Sequence, residues 1–150
     1  MELTEEQLKK VFNLEIGEVE NSWANGVKQE DRFEFSYSIK CPCGKSSLYY
    51  NNDIWLGKSN EIKKENIEDA CSRASYKILR HIENQIRMNA DKYHIDLLIN
   101  LIGKEKAMEL LEKWAKKNLI VALALKKYIE QLKEKEINNE TIKQKENRIN

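Results

Sequence analysis

A chain of 150 residues that is 41% hydrophobic and 34% charged, with five glycines, one proline and a mean hydropathy of −0.72, can bury a globular core; this excludes disordered and collagen-like classes. The net charge is only +1 but is segregated: residues 1–31 carry eight acids against three lysines, and residues 104–150 carry twelve basic against eight acidic side chains. No signal peptide is visible in MELTEEQLKK, the longest apolar run is far short of the ~20 residues that cross a bilayer, and three cysteines fit a reducing, cytoplasmic setting.

Thr4 is placed to cap a short helix reaching Asn13, with Leu8, Val11 and Phe12 at helical spacing. Leu14 to Trp23 reads as a strand interrupted by Gly17, and Asn25-Gly26 as a two-residue hairpin turn. Arg32 to Cys41 is the clearest strand: Phe33, Phe35, Tyr37, Ile39 and Cys41 alternate with Glu34, Ser36, Ser38 and Lys40, so one face is buried and the other wet. Pro42-Cys43-Gly44 turns the chain, Ser46 to Asn51 returns with Leu48 and Tyr50 on one side, and Asn51-Asn52-Asp53 is predicted to turn into a further strand, Ile54 to Leu56.

From about Glu61 the period changes from two to 3.6. Ile67, Cys71, Ala74, Ile78, Ile82 and Ile86 form one stripe of a helix running to Asn89. Asp91 caps a second helix that stops at Gly103, and a third, Lys104 to Lys117, buries Ala107, Leu111 and Trp114. Leu119 to Leu125 (LIVALAL) is apolar all round, which implies a helix enclosed by others or one whose spare face a partner covers. The helix continues through Ile129 and Leu132, and residues 133–150, with three isoleucines in eighteen residues, read as a charged, flexible tail. The expected fold is α+β: an N-terminal helix, a small antiparallel β-meander of three or four strands over about 14–57, a long helix, and a helical C-terminal portion. Residues 1–132 are taken as one domain.

Cys41-Pro42-Cys43-Gly44 is similar to half of a zinc knuckle, in which thiolates flank a tight turn. Completing it needs two more donors from Cys71, His81 and His94. On one helix Cys71 and His81 would stand ten residues, about 15 Å, apart, and Cys71 has only Glu68 at helical spacing. The reading is therefore no cofactor and three reduced thiols, with zinc on Cys41, Cys43 and Cys71 as one alternative and a redox Cys-x-Cys pair as another. His81 and His94 are read as packed or surface side chains, and the five dispersed glycines make no phosphate loop, so no catalytic residue is assigned.

The order helix, three antiparallel strands, helix, with Lys63-Lys64 ahead of the second helix, resembles the double-stranded-RNA-binding domain over about residues 4–90. That resemblance implies phosphate contacts by these lysines. Where the family carries a further lysine this chain has Ile67 or Glu68, and Glu65, Glu68 and Asp69 make the helix start acidic. A second basic feature is Lys113, Lys116, Lys117, Lys126 and Lys127, which bracket the apolar run. The function expected is a non-catalytic, phage-type small protein that binds another protein, as an inhibitor or adaptor of the mobile-element or anti-defence type. The alternative is a nucleic-acid-binding module using the same lysines, and the apolar helices leave a homo-oligomer open.

Overall fold

The computed structural model describes residues 2–44 and 49–149 and shows a mixed α+β chain. It falls into two compact units, Met1–His81 and Ile82–Asn150.

The first unit opens with α1, Glu5–Phe12, which begins where the sequence places its cap. Thr4 Oγ1 accepts from the Gln7 amide at 3.2 Å and Gln7 Oε1 accepts from the Thr4 amide at 2.8 Å, a reciprocal box that satisfies two otherwise orphaned donors. The helix buries Leu8 and Phe12, and Asn13, at φ +51°, ends it in the left-handed region. Strands β1 (Glu15–Ala24), β2 (Val27–Lys40) and β3 (Tyr49–Gly57) form an antiparallel sheet in sequence order. Asn25 and Gly26, at φ +52° and +77°, make the β1–β2 hairpin turn, whose backbone twist matches that of the strands.

Two expectations about this sheet are corrected. Gly17 does not interrupt β1; it lies where the register with β2 shifts between Ile16 and Val19, and a side chain there would begin 2.6 Å from Ser36 Oγ. Glycine at this position admits a close backbone approach at a bulge. Nor do Asn51-Asn52-Asp53 turn, because all three pair with β2, opposite Ser38, Tyr37 and Ser36. Asparagine favours turns, but here the ladder runs straight through both of them. Ser46 to Leu48 of the predicted return strand lie outside the described residues.

On the inner face of β2, Phe35, Tyr37, Ile39 and the adjoining Cys41 are almost wholly buried, and Ile54 joins them from β3. Burying side chains of this size stabilises by about 1.5–3 kcal/mol each relative to leaving them in water. The long helix α2, Lys64–Asn89, starts in this unit and continues unbroken into the next. Its Ala70, Cys71, Ala74 and Ile78 are buried, and Ser75 ties down the N-terminal segment by accepting the Leu3 amide at 2.8 Å while donating to the Cys71 carbonyl at 2.6 Å.

In the second unit Ile82 and Ile86 continue the buried stripe of α2. Ala90, at φ +49°, closes the helix, and Asp91 caps α3, Lys92–Ile102, by accepting the His94 amide at 3.0 Å. Gly103, at φ +89°, turns the chain into α4, Lys104–Ala115, whose Ala107, Leu111 and Trp114 are buried as predicted. Helix α5 spans Leu119–Ile149. Its Tyr128 hydroxyl donates to Asp96 Oδ1 at 2.6 Å, which fixes it against α3. Where the charge pattern predicted a loose tail, the helix continues to Ile149 with residues 133–148 exposed. Lys, Glu and Gln are good helix formers and neither Gly nor Pro follows Lys133, so the chain is helical without a buried stripe. No helix among the described residues is long and apolar enough to cross a membrane.

Candidate metal centre and lysine-framed helix face

Strand alternation decides where Cys41 goes. Phe35, Tyr37 and Ile39 point inward, so Cys41, two residues on, does too, and it is fully buried. Pro42 and Cys43 form a turn and Gly44 takes φ +69°, which brings the half-buried Cys43 back beside its neighbour. His81 lies at the edge of the α2 stripe, three residues after Ile78 and one before Ile82, and its Nε2 is buried. The two sulfurs and a ring nitrogen of His81 come within 4.8 Å of one another. For comparison, donors around a tetrahedral zinc are roughly 3.3–3.8 Å apart, given bonds of about 2.0–2.3 Å.

His94, in the first turn of α3, is 4% exposed. Its Nδ1 lies 3.0 Å from both carboxylate oxygens of Asp91. A carboxylate at Nδ1 selects the tautomer with a proton there and leaves the lone pair on Nε2.

Cys71, the third thiol named from the sequence, is elsewhere. It lines a groove of about 530 Å³ with Leu3, Glu5, Ile67 and Glu68, and burial, reinforced by the Glu5 carboxylate, pushes its thiol pKa above the ordinary value. It is thus less readily a thiolate, which argues against ligation or redox chemistry there. The sequence argument that Cys71 and His81 cannot share an ion holds, because α2 is continuous. What it missed is that a donor from α2 could meet donors from the end of a strand. The legible signals were the inward parity of Cys41 and the stripe-edge position of His81.

The second candidate feature is the start of α5. Val121, Ala124, Leu125 and Tyr128 are buried, while Leu119, Ile120 and Leu123 remain 74%, 45% and 57% exposed. Lys113, Lys116, Lys117, Lys126 and Lys127 are all exposed around it. Lys113 and Lys116 occupy the C-terminal turn of α4, where a cation also complements the helix dipole. The order α1, β1–β3, α2 is the one that resembles the double-stranded-RNA-binding domain, yet Lys64 Nζ faces Glu68 Oε1 at 3.9 Å, so part of its charge is compensated before any phosphate arrives. Phe35 and Tyr37 of β2 are core and offer no stacking surface, and Phe33 is half-buried.

Comparison with protein-family models, curated proteins and solved structures gives no match.

Proposed function

We propose that this chain is a non-catalytic cytoplasmic binding protein, an inhibitor or adaptor, that docks through the first turns of α5 onto another protein. The observation that carries the reading is the division of Leu119–Leu125: one side of the helix is buried and Leu119, Ile120 and Leu123 are left in water. Contiguous exposed apolar side chains on a helix are the usual core of an interface. The lysines around them define the partner's chemistry, an apolar groove bordered by carboxylates, with the charges setting approach and orientation more than affinity. Four of the five glycines, Gly26, Gly44, Gly57 and Gly103, serve positive-φ positions dispersed along the chain, which supports a scaffold role over phosphate binding.

The test is capture from nuclease-treated lysate with wild type beside the Leu119→Gln/Leu123→Gln variant. A protein retained by wild type, lost with the double variant and weakly sensitive to salt supports the proposal. Capture that disappears with nuclease, or a salt slope near −4 to −5 as five phosphate contacts would give at about 0.9 each, assigns the face to nucleic acid instead. Concentration-dependent self-association abolished by the same double variant assigns it to a second copy.

A further inference from the structure

We propose that Cys41, Cys43 and His81, all within the first unit, bind one zinc ion that ties the chain just beyond β2 to α2. Two thiol sulfurs and a ring nitrogen lie within 4.8 Å of one another, although a strand end and a helix that supply them are separated in sequence by the whole of β3. That spread is at most about 1–1.5 Å wider than the donor spacing around a tetrahedral zinc, a gap that side-chain rotation closes without moving the backbone. Ordinary local structure aims each donor. Strand parity turns Cys41 inward after Tyr37 and Ile39, and it is fully buried. Pro42 restricts the backbone between the two thiols and Gly44, at φ +69°, reverses the chain after them, so the pair is ordered before an ion arrives. His81 follows Ile78 by three residues at the edge of the same buried stripe, and its Nε2 is buried.

The donor set selects the metal. Thiolate and imidazole suit zinc, whereas magnesium and calcium require oxygen donors. Charge decides between zinc and copper(I), the other ion that thiolates favour. Zinc binding converts two thiols to thiolates and releases two protons to solvent, and one dication, two thiolates and a neutral imidazole sum to zero. Copper(I) on the same donors would leave a net negative charge at the buried Cys41 sulfur, which a poorly solvated position disfavours. One further ligand completes the zinc tetrahedron. Because the donors meet only in the folded unit, the ion stabilises it by mass action. Cys71 takes no part, and the proposal does not rest on the docking face of α5.

The experiment uses the full chain without a histidine tag. Metal analysis of the purified protein is expected to give close to one zinc per chain, and cobalt substitution should give the visible absorption of a tetrahedral thiolate site. Zinc should protect Cys43 from alkylation until a chelator is added. Cys71→Ser should retain full stoichiometry, whereas Cys43→Ser and His81→Ala should bind zinc at least about 100-fold more weakly against a competing chelator, since losing a ligand exceeds the 10- to 100-fold cost of losing a ligand's outer partner. His81→Cys, which restores a donor at the same place, should recover most of that affinity, an outcome that a packing role for His81 would not produce. If the weakened variants do not fold, alkylation and metal content of the wild-type chain still decide the matter. A wild-type chain that stays below about a tenth of an equivalent after refolding with zinc overturns the proposal, as does a Cys41–Cys43 disulfide in the native protein. Unchanged affinity in His81→Ala overturns the assignment of His81, and loss of zinc in Cys71→Ser overturns the donor set.

Discussion

Phe35–Cys41 and Leu119–Leu125 are stretches of equal length that meet opposite fates. In the strand, polar and apolar residues alternate, so the pleat sorts them completely: Phe35, Tyr37, Ile39 and Cys41 are buried and Ser36, Ser38 and Lys40 take the other face. In the helix all seven residues are apolar and no geometry can sort them, so burying one side leaves Leu119, Ile120 and Leu123 outside. A strand whose pattern closes on itself reports on the fold. A helix whose pattern exceeds what its own chain can cover reports on something beyond it.

The largest effect that sharpens this contrast is expected from Phe35→Ala, which should cost about 3–5 kcal/mol in denaturant unfolding. A loss under about 1 kcal/mol would mean that the inner face is not the core. Next comes Tyr128, which secures the buried side of α5. Burial first, then its hydrogen bond to Asp96, push the phenol pKa up to about 12. The neutral form is the one favoured in the fold, so this contribution is full below the ordinary value near 10 and is lost as pH rises towards 12. Ultraviolet titration should show late tyrosine ionisation that Tyr128→Phe diminishes; a titration unchanged by that substitution would contradict the buried hydrogen bond.

Leu119→Gln/Leu123→Gln should change unfolding stability by no more than about 0.5 kcal/mol, in contrast to Phe35→Ala, because water already reaches both side chains. A larger loss would show that they pack after all. A similarly small effect is expected from removing residues 133–150, whose described members are exposed: the melting midpoint should move by less than about 2 °C while helical circular dichroism falls. A midpoint drop beyond that would give the segment a packing role.

Most of the fold could be read from the sequence because its signals are local. Thr4 and Asp91 mark helix starts, Asn25-Gly26 marks the hairpin, and the apolar stripe of α2 keeps one period from Ile67 to Ile86. The errors arose where local chemistry has two readings. Asn51-Asn52-Asp53 are turn formers that the β2 partner held extended, and Gly17 can end a strand or permit a bulge. The candidate metal site was legible only in halves. Cys41-Pro42-Cys43-Gly44 announces itself, but His81 carries no motif, and its meeting with the cysteines depends on how a strand end and a helix pack, which spacing along the chain does not encode.

The bond between the Leu3 amide and Ser75 Oγ joins groups 72 residues apart, and it has a bearing on synthesis. On a ribosome adding roughly 5–20 residues per second, α1 emerges about 4–14 seconds before the helix that receives its leading residue. During that interval Leu8 and Phe12, both fully buried in the finished protein, have no core to enter. Helix α1 has eight residues, fewer than an isolated helix needs to persist in water, so its capping box cannot hold it formed alone. The segment ahead of β1 is therefore made before the helix that holds it and settles after it, and the acids at Glu2, Glu5 and Glu6 keep that waiting segment soluble.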